Sequence, residues 1–566
     1  MHLPNKKEIN LALNSFTKSE RIVFFSLTAI FVISTLTVLN IVNNKFLVEV
    51  PALGGSLTEG VAGESPRFIN PLLATSDADR DLAALIYSGL LRVSSNGDYV
   101  GDLAENFKIS DDGLSYAFKI RQGAVWHDGQ PVTSDDIEFT IQKARDPSIK
   151  SYKRPSFEGV SLEKLDDKNI VLKLKQPYSP FLEALTLGIL PKHIWNDVSP
   201  DAFPYSKWNT SPIGSGPYKI KRISGVNTPE YYDLTPFKYF TLNQPKIEKL
   251  KIRFYKNEEE LLVAYRSGEV DAINTIPPQT AKTMEDKKIP ITRVTLPRIF
   301  AVFFNQNNSK ILADKSVRIA LNTALDKKGI VENVLLGYGQ IINGPTLTVK
   351  DEGGKEDVDR SEVAKKILEK GGWKFDEKKK NWTKGNKKST LVLSLDLSTA
   401  DIPELKSVAE LIKKDWEKIG IKTTMKIFEI GDLNQNVIRP RKYDAIFFGE
   451  VVGRSPDLFS FWHSSQRNDP GLNIAMYTSG KADKILEEIR VENDTSKRLK
   501  KYADLQKEID NDTPAAFVYS PQFLYALPSK VLGAKIDMVT VPSDRFNNIH
   551  KWYIDTEKIW KIFANN

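Results

Sequence analysis

The stretch RQGAVWHDGQPVTSDDIEFTIQKA (residues 121–144) sets His127 beside Asp128 and follows them with Asp135 and Asp136. One imidazole and three carboxylates this close are raw material for a metal site or for general acid–base catalysis. Their spacing points elsewhere. Asp128-Gly129 is a strong turn pair, and Thr133 stands three residues before Asp136, a variant of the capping box. Asp135 and Asp136 then fall in the first turn of a helix, where carboxylates complement its free N–H groups and its dipole. Ile137, Ile141 and Ala144 supply an inward stripe. A single histidine offers no H-x-x-x-H or H-E-x-x-H pair, so the stretch reads as structure.

The remaining chemistry is sparse. His2, His193, His463 and His550 are scattered, with no second ligand at a recognisable spacing. SPIGSGPY (residues 211–218) holds Ser215 between glycines, but the spacing is wrong for a nucleophile elbow and no strand leads into it. Neither a phosphate-binding loop nor a dinucleotide fingerprint is present. Paired carboxylates are plentiful and leave a glycosidase-like pair open. The chain has no cysteine, which removes disulfides, thiolate metal sites, cysteine nucleophiles and a cysteine-borne lipid. A formal charge of +8 spread over 566 residues lacks the concentrated basic face of a nucleic-acid binder. The expectation is no enzyme, no metal, no cofactor and no nucleic acid.

Residues 22–42 (IVFFSLTAIFVISTLTVLNIV) carry no charge and span about 31 Å as a helix, enough to cross a hydrocarbon core. Lys6, Lys7, Lys18 and Arg21 precede them against Glu8 and Glu20, which orients residues 1–21 toward the cytoplasm. The apolar core is longer than that of a signal peptide and no clear cleavage site follows, so an uncleaved anchor is the preferred reading. Beyond it, strands are predicted at 115–121, 169–175, 391–397, 421–430 and 442–449. Residues 246–273 read as strand, helix, glycine stop at Gly268 and strand. Residues 316–335 suggest one or two helices broken near Gly329. Leu405, Val408, Ala409, Ile412, Trp416 and Ile419 keep one helix face apolar up to Gly420. The crossovers imply an α/β protein with a largely parallel sheet. The lysine-rich run 374–388 reads as an exposed hairpin or loop.

These same segments carry a resemblance. GVAGESPRFINPLLATSDADRDLAALIYSGLLR (60–92), FKIRQGAVWHDGQPVTSDDIEFTIQKA (118–144), PKHIW (191–195) and SPIGSGPYKI (211–220) follow one another in order. SGEVDA (267–272), VFFNQNN…SVRIALNTALDK (302–327) and YDAIFFGE…SPD (443–457) complete the series. Together they resemble the extracellular solute-binding proteins of the oligopeptide and dipeptide class, family 5, which serve ABC importers. The resemblance implies a two-lobed periplasmic-binding-protein-like α/β fold behind one transmembrane helix. Residues 50–300 and 520–566 would form the first lobe, with an extra subdomain, and 301–519 the second. It implies a monomeric receptor that closes on an oligopeptide or other small solute and passes it to ABC permease subunits.

Site residues follow from the same resemblance. Peptide-binding relatives carry a G-W-x-x-D-like segment whose aspartate holds the peptide amino group; here the region reads GEVVGRSPD (449–457). Glu450 takes the tryptophan position, the aspartate is missing, and Arg454 brings a positive charge unfavourable to an ammonium. Glu450 or Asp457 would substitute, or the ligand is a carboxylate or a sugar. Asn70 is expected in a ligand-reaching loop, Phe303, Phe304 and Asn305 at the first interlobe crossing, and Trp462 as an apolar wall. A membrane-tethered sensor or scaffold on the same fold is the alternative reading, and a secreted hydrolase a weaker one.

Overall fold

The computed structural model describes Lys7 and residues 14–225, 230–347, 359–386, 389–454 and 457–564. Its first long element is the helix Lys18–Phe46, 29 residues with no buried side chain. A capping box opens it, Glu20 accepting from the Thr17 backbone N–H at 2.8 Å. Within the apolar run the hydroxyls of Thr28, Thr35 and Thr37 each donate to the carbonyl four residues earlier at 2.8 Å. Polar side chains satisfied inside their own helix are tolerable in a hydrocarbon environment.

One twelve-stranded sheet runs through the rest of the molecule. Two elements carry it from one half to the other. The strand Ala515–Ala526 pairs with Arg298–Phe304 through its first part and with Thr292–Thr295 and Ala272–Asn274 through its second. The second crossing is the short link between Thr292–Thr295 and Arg298–Phe304. At the junction Leu296 N donates to Pro521 O at 2.9 Å, Ser520 Oγ to Leu296 O at 2.5 Å, and Val452 N to Pro297 O at 3.0 Å. The hydrophobic cores divide at these links. One draws on residues from Leu57 to Leu296 and again from Phe523 to Trp552; another runs from Ile299 to Tyr519; a smaller third packs Leu261, Ala264 and Met284 with Tyr338 and with Leu524 of the crossing strand. This is a two-lobed α/β fold. A separate four-stranded sheet, Ala104–Ile109, Ser115–Ile120, Asn169–Lys173 and Ser161–Lys164, packs into the first core.

The helix Pro403–Lys418 shows how the pattern drives the fold. Leu405, Val408, Ala409, Ile412 and Trp416 are buried, as is Ile419 just beyond, each large side chain adding about 1.5–3 kcal/mol of burial. Trp416 Nε1 donates to Leu321 O at 3.0 Å, and Gly420 ends the helix at φ +81°, a conformation that suits glycine.

Three expectations are corrected. The sheet is mixed: Gly54–Ala62 lies parallel to Ile247–Tyr255 and Ala272–Asn274, and Ser394–Ala400 parallel to its two neighbours, but both crossing strands pair antiparallel. The helix break falls at 324–326, where Asp326 caps the next helix by accepting from Gly329 N at 3.1 Å; Gly329 therefore lies inside that helix. The predicted strand 391–397 divides at Leu393 between a small hairpin sheet and the main sheet. The lysine-rich run forms part of that hairpin, Lys374–Asp376 pairing with Asn381–Asn386; Lys387 and Lys388 lie outside the described residues.

Candidate functional site: the cleft at the lobe junction

The stretch that opened the sequence reading is structural throughout. Asp136 accepts from Thr133 N and from Lys192 N, both at 2.8 Å, while Asp135 pairs with Lys164 at 3.0 Å. His127 accepts from Gly214 N at 3.3 Å through Nδ1 and contacts Gly216 O at 3.1 Å through Nε2; burial drops its imidazole to about 4. Among the described residues no cluster of three or more His, Asp or Glu side chains is arranged to hold a metal.

The first lobe instead presents a cavity of about 310 Å³ toward the second. Its walls come from separated segments: Arg80 and Tyr87 on and just after the helix Asp77–Ile86, Arg92 from the strand Leu91–Val93, Asp102 just after the strand Tyr99–Gly101, Lys153 at the start of the short helix Arg154–Phe157, Glu183 from the short helix Phe181–Ala184, and Asp544 from the short helix Pro542–Phe546. From the second lobe comes Arg454. Four cationic side chains thus face three carboxylates. His550, also in the wall, is driven down to about 3 by burial and by Arg92, and adds no charge at neutral pH.

A buried polar cluster fixes two of these walls. Arg545 reaches Asp81 through two hydrogen bonds at 2.8 and 2.6 Å and Glu59 through one at 2.8 Å, with all three side chains essentially unexposed. Tyr525 hydroxyl donates to Glu59 at 2.7 Å. Burial pushes the Asp81 carboxyl to about 6 against the pull of Arg545. The cluster ties the cavity helix Asp77–Ile86 to Pro542–Phe546 and to the crossing strand, so the site cannot shift without breaking buried charge pairs.

Several polar atoms of the wall have no protein partner: Tyr87 Oη, Arg92 Nε, Asp102 Oδ1 and Thr540 Oγ1. Burial raises Asp102 to about 7 despite Arg92, whose Nη1 donates to Asn548 Oδ1. Burial also holds the Lys153 ammonium below its usual range, with Glu183 acting the other way. Buried polar groups left unmatched cost about 1–3 kcal/mol each.

Polar contacts at two places join the lobes. Arg454 Nη2 meets Asp544 Oδ2 at 3.1 Å, the side chains 7% and 16% exposed. Asp544 also accepts from Thr540 N at 2.7 Å and Val541 N at 3.2 Å. On the other side Tyr178 hydroxyl donates to Asp457 at 3.2 Å, and Ser179 N to Arg490 O at 2.9 Å. Arg490 grips Asp457 through two hydrogen bonds and lies 4.0 Å from the Phe459 ring centre.

Of the ligand-binding residues that the resemblance implies, Arg454 alone lines the cavity. Asp457 is engaged in the second clasp. Glu450 is paired in register with Ile299 and buried in the second lobe; neither carboxylate oxygen has a partner, and burial raises its pKa well above the usual range. Trp462 is fully buried against Phe303, Phe517 and Tyr477 at 5.7–6.3 Å between ring centres. Phe303 and Phe304 are core residues at the end of their strand remote from the crossing, which lies at 296–298. Asn305 is used locally, donating to Arg441 O and accepting from Asn307 N and Asn308 N. Asn70 is buried in a turn, accepting from Leu72 N at 3.0 Å and facing Asn209 at 3.3 Å. Ser455 and Pro456 lie outside the described residues.

The model of the bacterial extracellular solute-binding proteins, family 5 Middle, matches residues 98–472. The chain belongs to that family. This solute-binding protein is 30% identical over 517 residues to the oligopeptide-binding protein AppA of Bacillus subtilis, covering 89% of the chain and 92% of AppA. The solved structure of AppA with a nonapeptide superposes at a TM-score of 0.67, with 28% identity over 89% of this chain and all of AppA. The structure of NikZ from Campylobacter jejuni, in complex with Ni(L-His), gives a TM-score of 0.69, with 26% identity over 88% of this chain and 99% of NikZ. One fold thus holds a peptide in one relative and a metal chelate in another, so the ligand must be argued from the cleft of this chain.

Proposed function

We propose that this solute-binding protein is the receptor of an ABC importer, that it takes an oligopeptide or a solute of similar size between its lobes, and that it performs no reaction on it. In this reading the ligand carries a carboxylate, and its cargo passes to membrane permease subunits. The observation that carries the ligand reading is Arg454, which the second lobe extends into a first-lobe cavity holding Arg80, Arg92 and Lys153. Four cations against three carboxylates leave room for one more negative group, and a guanidinium offers it a bidentate grip. The other charged side chains of the wall supply the orienting contacts. The names of AppA and of its nonapeptide complex support a peptide.

Residues 22–42 act as an uncleaved single-pass anchor in this proposal, with residues 1–21 cytoplasmic and the lobes outside. The helix Lys18–Phe46 is long and apolar enough for that task, and an absent cysteine closes the lipid route. The receptor works as a monomer. Thermal unfolding of the full chain in detergent micelles, against separate pools of peptides of two to nine residues and of oligosaccharides, tests the proposal. Native-state binding raises the midpoint by mass action. A rise with peptides is the expected result, and a rise with sugars alone overturns the peptide.

A further inference from the structure

The strand that follows the long helix without a gap, Leu47–Pro51, is paired along its whole length with Thr556–Trp560. The pairing is antiparallel and sets Leu47 opposite Trp560. The later strand therefore runs back toward the helix and hands the chain to the short turn Lys561–Phe563 beside it. Trp560 stacks on Phe46 at 6.5 Å, with 24° between the planes, and its indole N–H donates to Asn43 Oδ1 at 2.8 Å.

These contacts fix a depth. The apolar run ends at Val42, ahead of Asn43, Asn44 and Lys45, so Asn43 stands one residue, and Phe46 four residues, beyond the hydrocarbon boundary of a spanning helix. At the helical rise that is about 1.5 and 6 Å. The polar layer on each side of a bilayer is about 5–8 Å deep. An indole held between Asn43 and Phe46 lies within that layer, the position tryptophan favours because its ring is apolar and its N–H is not. Beside it are apolar side chains left largely or half exposed: Ile562 is 71% exposed, Phe563 64% and Phe46 49%. Lys45, Lys558 and Lys561 flank them, suited to reach lipid phosphates while their stems lie along the apolar surface.

We propose that Trp560, Ile562 and Phe563 are a second membrane contact: they enter the interfacial layer beside the anchor helix, and the two-stranded ribbon holds the first lobe to the bilayer at two points. This rests on the reading of residues 22–42 as an uncleaved anchor. A ribbon that leaves the membrane and returns to it limits swivelling of the first lobe, leaving the second lobe free to close.

The absence of cysteine makes a direct test clean. Single cysteines replace Ile562, Ile30 or Leu499 in the full chain. Each carries a nitroxide in vesicles of three parts phosphatidylcholine to one part phosphatidylglycerol. Accessibility to oxygen is then compared with accessibility to a water-soluble nickel chelate. Ile562 and Leu499 are exposed, so their substitution leaves the cores intact. The expected oxygen-to-nickel ratio at 562 is several-fold above that at Leu499, on the second lobe, and below that at Ile30. A water-like ratio at 562 with a lipid-like ratio at 30 overturns the second contact and leaves the anchor standing. A water-like ratio at 30 removes the anchor, and the second contact with it.

Discussion

Replacing Arg454 by alanine tests whether lobe closure depends on the pair that bridges the cleft. The guanidinium and Asp544 are 3.1 Å apart and almost wholly covered, which puts their hydrogen bond among the stronger ones, about 1.5–3 kcal/mol net. Breaking a fully buried pair costs about 3–5 kcal/mol, because the remaining charge is stranded. Here Asp544 keeps the N–H donors of Thr540 and Val541, so the lower figure applies. A loss of about 2 kcal/mol, at 1.4 kcal/mol per factor of ten, lowers the closed-to-open ratio about 30-fold. Arg454→Lys should recover part of it, since the charge remains and the fork is lost. The cysteine-free chain accepts one dye on Tyr239→Cys in the first lobe and one on Leu499→Cys in the second, both exposed positions. Single-molecule energy transfer then reads the two populations. Identical distributions for wild type and Arg454→Ala refute the reasoning.

Three other outcomes follow from the same geometry. Glu450→Met removes a buried carboxyl with no partner. Because the folded pKa is raised, wild type loses stability as pH climbs above the unfolded value near 4.5, by up to about 1.4 kcal/mol per pH unit; the variant's advantage in urea melts should widen from pH 5 to 7, and a constant gap contradicts this. Asp102, near 7, gains its charge between pH 6 and 8, so affinity for a carboxylate ligand should fall roughly three- to tenfold over that range and become flat in Asp102→Asn, as measured by calorimetry. Trp462→Ala should cost about 3–5 kcal/mol of second-lobe stability with the ligand affinity of the folded protein unchanged; weakened binding at unchanged stability would restore Trp462 to the ligand wall.

Local elements were the most legible part of the chain. The helix Pro403–Lys418 announces itself by apolar residues at spacings of three and four, and the Thr133–Asp136 cap by four residues in order. The crossings were less so. Alternation marks a strand but not the residue at which it leaves one sheet for another, which is why Phe303, Phe304 and Asn305 were expected several residues from the true junction. The cavity was least legible. Arg92, Lys153 and Asp544 come from segments hundreds of residues apart in part, and only tertiary packing joins them. Glu450 shows the converse: an acidic residue at a position expected to face ligand has its carboxylate buried in the second lobe. Arg454 was found because its charge broke the family's pattern at the cleft.

Calorimetric titration of one tight-binding peptide and its C-terminal amide, into wild type and Arg454→Ala, shows directly whether Arg454 holds a ligand carboxylate. The expected result is one site per chain, at least tenfold weaker binding of the amide to wild type, and little difference between acid and amide in the variant. Equal binding of acid and amide to wild type would contradict it, and would move the ligand's charge away from Arg454.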